Sequence, residues 1–170
     1  MKKRTLFLVI LSIFLLVTAA SQLVRNVPRV EAKQTSTKIT GKINNQRTAN
    51  ICHQLLQQNL KAATDKNLND YLATLVKDAH KATTKEMQQF FKDYDVSHEL
   101  LSFEVIKQAP QSMLVVAEQK TVNHGKKAYR DHITTAYHTF IFEENKWKIK
   151  ETTMTNTQFL NQECSYEKIQ

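Results

Sequence analysis

The sequence predicts an α+β domain in which three helices pack on a curved, cone-like antiparallel meander of four strands. Between residues 47 and 95, apolar side chains recur with the period of about 3.6 residues that is typical of amphipathic helices. From residue 98 onward, apolar and polar side chains alternate, as they do in strands that are buried on one face. The strand connections are short, which favours antiparallel neighbours, and the helices are available to cover one face of the sheet.

The helical part divides into three predicted segments. Apolar residues line one face of the first helix, over 47–63, and a second helix follows over 65–79. Thr83 and Glu86 have the spacing of a capping box, which predicts that a third helix begins there and ends near Asp95.

The strands are predicted over four segments, 98–108, 112–122, 129–142 and 147–155. Pro110 marks the first turn because its ring fixes φ and it has no backbone N–H to donate to a ladder. Gly125 marks the second connection, at 123–126, and the acidic segment Glu143–Lys146 forms the third.

The N-terminal 32 residues read as an export segment. Lys2, Lys3 and Arg4 precede an apolar run over 5–24, long enough for either a cleaved signal peptide or a transmembrane anchor. Cleavage sites are available after Ala32 and after Ala19. In both cases the rest of the chain is predicted to be extracytoplasmic, either secreted or anchored to the membrane by residues 5–24.

The remaining boundaries follow from composition. Residues 33–46 are polar and lack large apolar side chains at helical spacing, which predicts a flexible linker. The globular domain is expected over 47–160 and a C-terminal tail over 161–170.

Charge and glycine content exclude several classes of protein. The formal net charge is +8, of which residues 1–32 contribute +4 and the other 138 residues contribute +4 with interspersed signs. This surface does not have the clustered basic groups that nucleic-acid binding needs. With 2 Gly in the chain, we find no phosphate-binding loop, and the histidines lack metal-ligand spacing, so we expect neither cofactor nor metal.

Three stretches resemble the nuclear transport factor 2-like superfamily, the cone-shaped fold of ketosteroid isomerases and polyketide cyclases. They are residues 62–72 (AATDKNLNDYL), the pair Phe90-Phe91, and residues 140–149 (FIFEENKWKI). The similarity covers about 47–160. The superfamily contains isomerases, cyclases, hydratases, ligand binders, protein-docking domains and tethered parts of secretion and conjugation machines. The resemblance therefore implies a fold, allows a homodimer through the open sheet face, and transfers no catalytic residue.

His138 and Glu151 are the candidate catalytic pair. If the last hairpin is symmetric, Phe142 faces Trp147 and His138 faces Glu151, and a carboxylate there would orient the imidazole as a general base. The alternative is an ordinary polar pair across two strands.

Aromatic side chains supply the candidate ligand-binding residues. Tyr71, Tyr137 and Trp147 are candidates to line a pocket in the cone, although aromatic residues at helical or strand period usually fill the core.

Cys52 and Cys164 are the two cysteines of the chain. In an exported protein they suggest one disulfide that would tie the C-terminal tail to the first helix, and two free thiols are the alternative.

Two functions remain open from the sequence. The first is an exported or tethered domain without catalytic activity, which binds a protein partner or a small ligand as part of a secretion, conjugation or cell-surface system. The second is a small cone-fold enzyme that performs acid/base chemistry through His138 and Glu151.

Overall fold

The computed structural model describes residues 37–160, which form three α-helices, one turn of 3₁₀ helix and a five-stranded curved sheet. The strands lie in the order β1 to β5, with β1 parallel to β2 and all other neighbours antiparallel. The elements are β1 (Ile39–Gly41), α1 (Gln46–Thr64), α2 (Leu68–Ala73), the 3₁₀ turn (Lys77–Ala79), α3 (His80–Asp93), β2 (Val96–Ala109), β3 (Ser112–Asn123), β4 (His132–Glu143) and β5 (Lys146–Phe159).

The export segment, residues 1–32, and the tail, 161–170, lie outside the described residues. None of the helices between residues 37 and 160 combines the length and the apolar character that a membrane crossing requires.

Helix α1 is the element that covers the sheet. Its first turn is capped by Asn45, whose side chain accepts a hydrogen bond from the Thr48 amide at 3.0 Å. One face carries Cys52 and Leu56, both fully buried against the sheet. The sequence predicted this helix to within one residue at each end.

The second predicted helix, 65–79, is wrong in its extent. Helix α2 ends at Ala73, and the chain then runs beside β5, where the Ile149 amide donates to the Thr74 carbonyl at 2.9 Å. The Val76 amide donates in turn to the Ile149 carbonyl at 3.1 Å. Leu75 and Val76 match a helical apolar pattern, but the free edge of β5 offers their backbone hydrogen bonds that periodicity does not reveal.

The predicted capping box at Thr83 and Glu86 is also wrong. Helix α3 begins at His80, directly after the 3₁₀ turn, so Thr83 lies inside the helix and is buried. Because the preceding turn runs straight into the helix, no free N-terminus exists at Thr83 for a side chain to cap.

The meander β2–β5 has the predicted order of antiparallel neighbours, but β5 runs to Phe159 and not only to 155. The last hairpin closes with a two-residue loop in which Glu144 and Asn145 have φ values of 49° and 62°. Positive φ at both positions is the type I′ geometry that matches the twist of paired strands.

The connection between β3 and β4 is longer than predicted, and the predicted strand start at Tyr129 is wrong. Tyr129 leaves the ladder and packs on α3, with its ring 4.8 Å from that of Tyr94 and 6.0 Å from that of Phe90. Lys127 fixes the same connection, because its ammonium lies 3.0 Å from the Asp93 carboxylate. Aromatic packing on a helix therefore outweighs the β propensity of this segment.

A fifth strand, β1, lies inside the segment 33–46 that was predicted to be a flexible linker. It pairs in parallel with β2, and the Lys42 amide donates to the Val105 carbonyl at 2.7 Å. Further along, the Gln108 side chain accepts from the amides of Asn44 and Asn45 at 2.7 and 2.9 Å. A three-residue strand has no readable period, so the polar composition of the segment concealed it.

Two buried clusters hold these layers together. The main core cluster joins α1 to the sheet and is formed by Ala49, Cys52, Leu56, Leu60, Leu100, Phe103, Val105, Met113, Val115, Ala117, Phe140 and Ile149. The second cluster joins α3 to the start of β2 and is formed by Ala63, Met87, Phe90, Tyr94 and Val96. The helices thus cover one face of the sheet, which we call the inner face.

Gly41 is the position on which the docking of β1 depends. Its φ is +93°, and a Cβ there would lie 2.3 Å from the Val105 carbonyl oxygen. We expect Gly41→Ala to lower the free energy of unfolding by about 1–3 kcal/mol, because left-handed strain and a backbone clash act together.

Denaturant titration checks this prediction, with Gly125→Ala as the matched control. A Cβ at Gly125 would lie 3.2 Å from its nearest atoms, both in Asp95, so it requires a movement of a few tenths of an ångström, less than at Gly41. Equal effects of the two substitutions would show that β1 is not held as described.

Candidate functional site on the inner face of the sheet

The inner face changes character along β3 and β4. At the start of β3 and the end of β4, the inner face is apolar and packs on α1. Met113, Val115 and Phe140 lie in this part. Towards the other end, the same face carries hydroxyl, amide and imidazole groups. We call these residues the polar row: Gln119, Thr121, Thr134 and His138.

His138 lies at the apolar end of the polar row, opposite Val115, and is only 2% exposed. Its Nε2 lies 2.7 Å from the Gln119 side-chain nitrogen, and its Nδ1 lies 3.0 Å from the Thr152 hydroxyl oxygen. The amide can only donate, so we assign Nε2 as the acceptor and Nδ1–H as the donor to Thr152. Burial lowers the pKa of His138 to about 4, so the imidazole is neutral at physiological pH.

The predicted pairing of His138 with Glu151 is wrong. Phe142 does face Trp147 and Phe140 does face Ile149, but Thr139 then faces Glu151 and His138 faces Thr152. The register shift leaves Lys150 as the additional residue of a β-bulge. A shift of one residue exchanges the faces of a strand, so Glu151 projects from the outer face, where it is exposed.

A second neutral histidine, His98, lies further along the inner face and is half-buried. His98 Nδ1 is 3.1 Å from the Thr121 hydroxyl, and the His98 backbone amide donates to the Thr64 hydroxyl oxygen at 2.9 Å. Burial, and then the nearby charge of His132, lower the pKa of His98 to about 4. Periodicity alone gave no reason to single out His98 or Gln119, because their partners become visible only with the strand register.

The three aromatic candidates for a pocket lie in three different places. Tyr71 packs in the second cluster, 6.4 Å from the ring of Phe91, and burial raises the pKa of its phenol. Trp147 packs against the main core cluster, 5.7 Å from the ring of Phe142. Tyr137 lies on the outer face, where it is 39% exposed. The structure therefore does not bring these side chains together around one cavity.

Cys52 lies in the main core cluster and has no exposed surface. Burial raises the pKa of its thiol to about 12, so the group is not a thiolate nucleophile at physiological pH. Its predicted disulfide partner, Cys164, lies outside the described residues.

Charged and metal-binding groups are sparse on this face. Between residues 37 and 160, no group of three or more His, Cys, Asp or Glu side chains is arranged to hold a metal ion. The polar row itself contains no carboxylate and no cationic side chain. What it provides chemically is a set of neutral hydrogen-bonding groups, of which Gln119 and His138 bind each other and Thr121 binds His98.

The comparison with solved structures shows the fold. A provisionally assigned aromatic ring hydroxylase from Novosphingobium aromaticivorans is 14% identical and has a TM-score of 0.61, over 68% of this chain and 95% of that one. A provisionally assigned dehydratase of the nuclear transport factor 2-like family from Streptomyces avermitilis is 8% identical, with a TM-score of 0.56 over 63% and 94%.

A nuclear transport factor 2-like protein of unknown function from Pseudomonas putida is 13% identical, with a TM-score of 0.57 over 65% of this chain and 87% of that one. The predicted resemblance to this superfamily is thereby confirmed at the level of the fold. At such low identities, the similarity carries neither an activity nor a substrate.

No curated protein sequence matches the chain. A family model does match, over residues 54–160, which is more than half of the chain. The matched region begins within α1 and runs to the end of β5, so it includes the polar row and most of the main core cluster. The chain therefore belongs to the family described as anti-sigma-I factor RsgI9, C-terminal domain.

Proposed function

We propose that this chain is an exported or membrane-tethered domain that binds a protein partner and has no catalytic activity of its own. The observation that carries the proposal is the division of the sheet into two faces. The inner face is occupied by the chain's own helices and by a polar row in which Gln119 already binds His138, whereas the outer face carries apolar side chains that belong to neither core cluster.

The state of His138 argues against acid/base catalysis. Both ring nitrogens already have hydrogen-bond partners, and a pKa of about 4 makes the imidazole a weak base at neutral pH. Glu151, the carboxylate expected to assist it, lies on the other face of the sheet. Among the described residues, no carboxylate lies beside the ring to raise its basicity.

The outer face supplies the binding surface. Val116 lies directly opposite Tyr137, and Leu114 and Ile141 lie on the same face at neighbouring positions of β3 and β4. We call these four residues the outer strip. Tyrosine beside aliphatic side chains is the composition found at the centre of protein interfaces.

Charged residues flank the outer strip on both sides. Glu104 faces Val116 and Lys107 faces Leu114 from β2, while Lys148 faces Ile141 from β5. An apolar centre with a rim of both charge signs fits a protein surface better than it fits a nucleic acid or an anionic membrane, either of which needs clustered basic groups.

The family match agrees with a binding role. The family is described as a domain of an anti-sigma factor, a protein named for its action against another protein rather than for a reaction. The predicted export segment, residues 1–32, would place the outer strip outside the cytoplasm, where it would meet a partner of the cell envelope.

Site-specific photo-crosslinking tests the partner. A benzophenone amino acid at Tyr137, introduced into the chain in cells that naturally produce it, is expected to yield one discrete adduct with another protein. The same probe at Gln88, an exposed position of α3, is the control and should yield none. Adducts at Gln88 equal to those at Tyr137, or an adduct of twice the mass of the chain, would contradict a partner at the outer strip.

The change in the free energy of unfolding below pH 7 tests whether His138 is neutral in the folded chain. The ordinary pKa of histidine is 6.5, and burial depresses it to about 4 in the folded chain. The unfolded chain therefore binds protons that the folded chain does not, and stability falls as the pH drops from about 6.5 to about 4. We expect His138→Gln to remove up to about 3 kcal/mol of this loss.

Urea titrations between pH 7 and pH 4 measure this effect, with His124→Gln in the exposed β3–β4 connection as the control. Proton NMR of the folded chain follows the His138 ring directly. A ring that titrates near pH 6.5 would contradict the absence of a general base and revive the enzyme hypothesis.

A further inference from the structure

The second half of β5 is an open sheet edge. Strand β5 pairs with β4 on one side, and on the other side the segment Thr74–Val76 covers only Ile149. From Glu151 to Phe159, no described residue pairs with the backbone on that side, and all side chains except Thr152 are exposed. The free N–H and C=O groups of such an edge are a template for another strand.

This edge is poorly protected against pairing. Between Thr152 and Phe159 the sequence has no charged residue, no proline and no glycine, and four of its eight residues are threonine. Native edges are usually guarded by lysine, proline or inward-pointing charges, and of the usual devices this one has only a bulge, at Thr155. The composition of residues 152–159 therefore favours pairing of this edge with another strand.

We propose that the occupant of this edge is a second copy of the chain, paired antiparallel through β5 so that the two five-stranded sheets continue as one. Charge is the first argument for a second copy. The 138 residues that follow the predicted export segment carry a formal net charge of +4, which disfavours contacts between like-charged parts of two copies. The uncharged segment 152–159 is a part of that surface on which two copies meet without like charges in contact.

Symmetry is the second argument. An antiparallel pair of identical strands is related by a two-fold axis, so one surface serves both copies and the assembly closes as a dimer. The register that keeps inner-facing side chains on one face places Thr152 opposite Thr157 and Thr153 opposite Asn156 of the other copy. Thr–Thr and Thr–Asn are favourable cross-strand pairs, and no like-charge pair arises.

The proposal is independent of the function proposed above, because the outer strip lies on β3 and β4 and stays uncovered when β5 pairs at its edge. If either the β5 dimer or the binding role of the outer strip is disproved, the other is unaffected. The test for each uses different positions, so their failures are distinguishable.

Disulfide trapping tests the geometry in the purified full-length chain in mild detergent, with Cys164→Ser as background. The variant Thr153→Cys/Asn156→Cys should form a dimer under mild oxidation, since three residues along one strand are too far apart to bridge within a copy. Glu104→Cys/Lys107→Cys is the matched control, because these exposed residues have the same spacing on β2, which is flanked by β1 and β3. Equal trapping of both pairs, or none of the first, would overturn the proposal.

Light scattering of the same full-length chain provides the second measurement. Thr153→Lys/Asn156→Lys would bring four ammonium groups together at the two-fold axis, and we expect it to weaken dimerisation by roughly tenfold or more. Gln88→Lys/Gln89→Lys on α3 adds the same charge away from the edge and should leave the dimer intact. A monomeric parent chain, or a dimer insensitive to the β5 lysines, would show that the edge is not the contact.

Discussion

The bulge at Lys150 determines which side chains of β5 enter the protein. On the hairpin side of the bulge, Ile149 packs inward on Phe140; beyond it, Thr152 faces inward and Glu151 faces outward. Without the additional residue, the carboxylate of Glu151 would face His138 on the inner face, and a buried charge there would need a compensating partner. The bulge thus keeps the inner face free of charge. It also lets β5 bend around the helices, since bulges increase the local twist and curvature of a sheet.

A neutral interior explains the otherwise unusual presence of buried histidines. His98 and His138 each bind a threonine hydroxyl, and His138 also receives a hydrogen bond from Gln119. These bonds satisfy both ring nitrogens of His138 and Nδ1 of His98, whereas protonation of His138 would place a charge where no described carboxylate lies beside it to balance it. The hydrogen bonds of the polar row join β2 to β3, β3 to β4 and β4 to β5, and so help to specify how these strands pair.

The sequence was informative where a pattern was long and misleading where a single residue decided the outcome. Helix α1 and the meander β2–β5 follow from sustained periodicity, because nineteen residues of helix or twelve and more of strand leave little choice of face. Strand β1 is too short to show a period, and α2 ends early because the edge of β5 supplies hydrogen bonds from 75 residues further along the chain. The prediction that His138 faces Glu151 was wrong because a single residue decides the register. The partner of His138 depends on one inserted residue at Lys150, and a register shift leaves no trace in the local alternation that predicts a strand.

The early end of α2 also accounts for the surface that β5 presents. Because the chain leaves the helix at Thr74, three residues run along β5 and cap the edge at Ile149 before the chain turns away into α3. If this segment continued in an extended conformation, it would cover the edge of β5 as a sixth strand. If it were helical, the backbone of Ile149 would lack its hydrogen bonds to Thr74 and Val76. The short contact seals the hydrophobic end of β5, where an open edge would expose the main core cluster, and leaves open the threonine-rich end, where exposure costs little. The boundary between the sealed and open parts falls at Lys150, so one bulge separates the half of β5 that stabilises the domain from the half that is available to another strand.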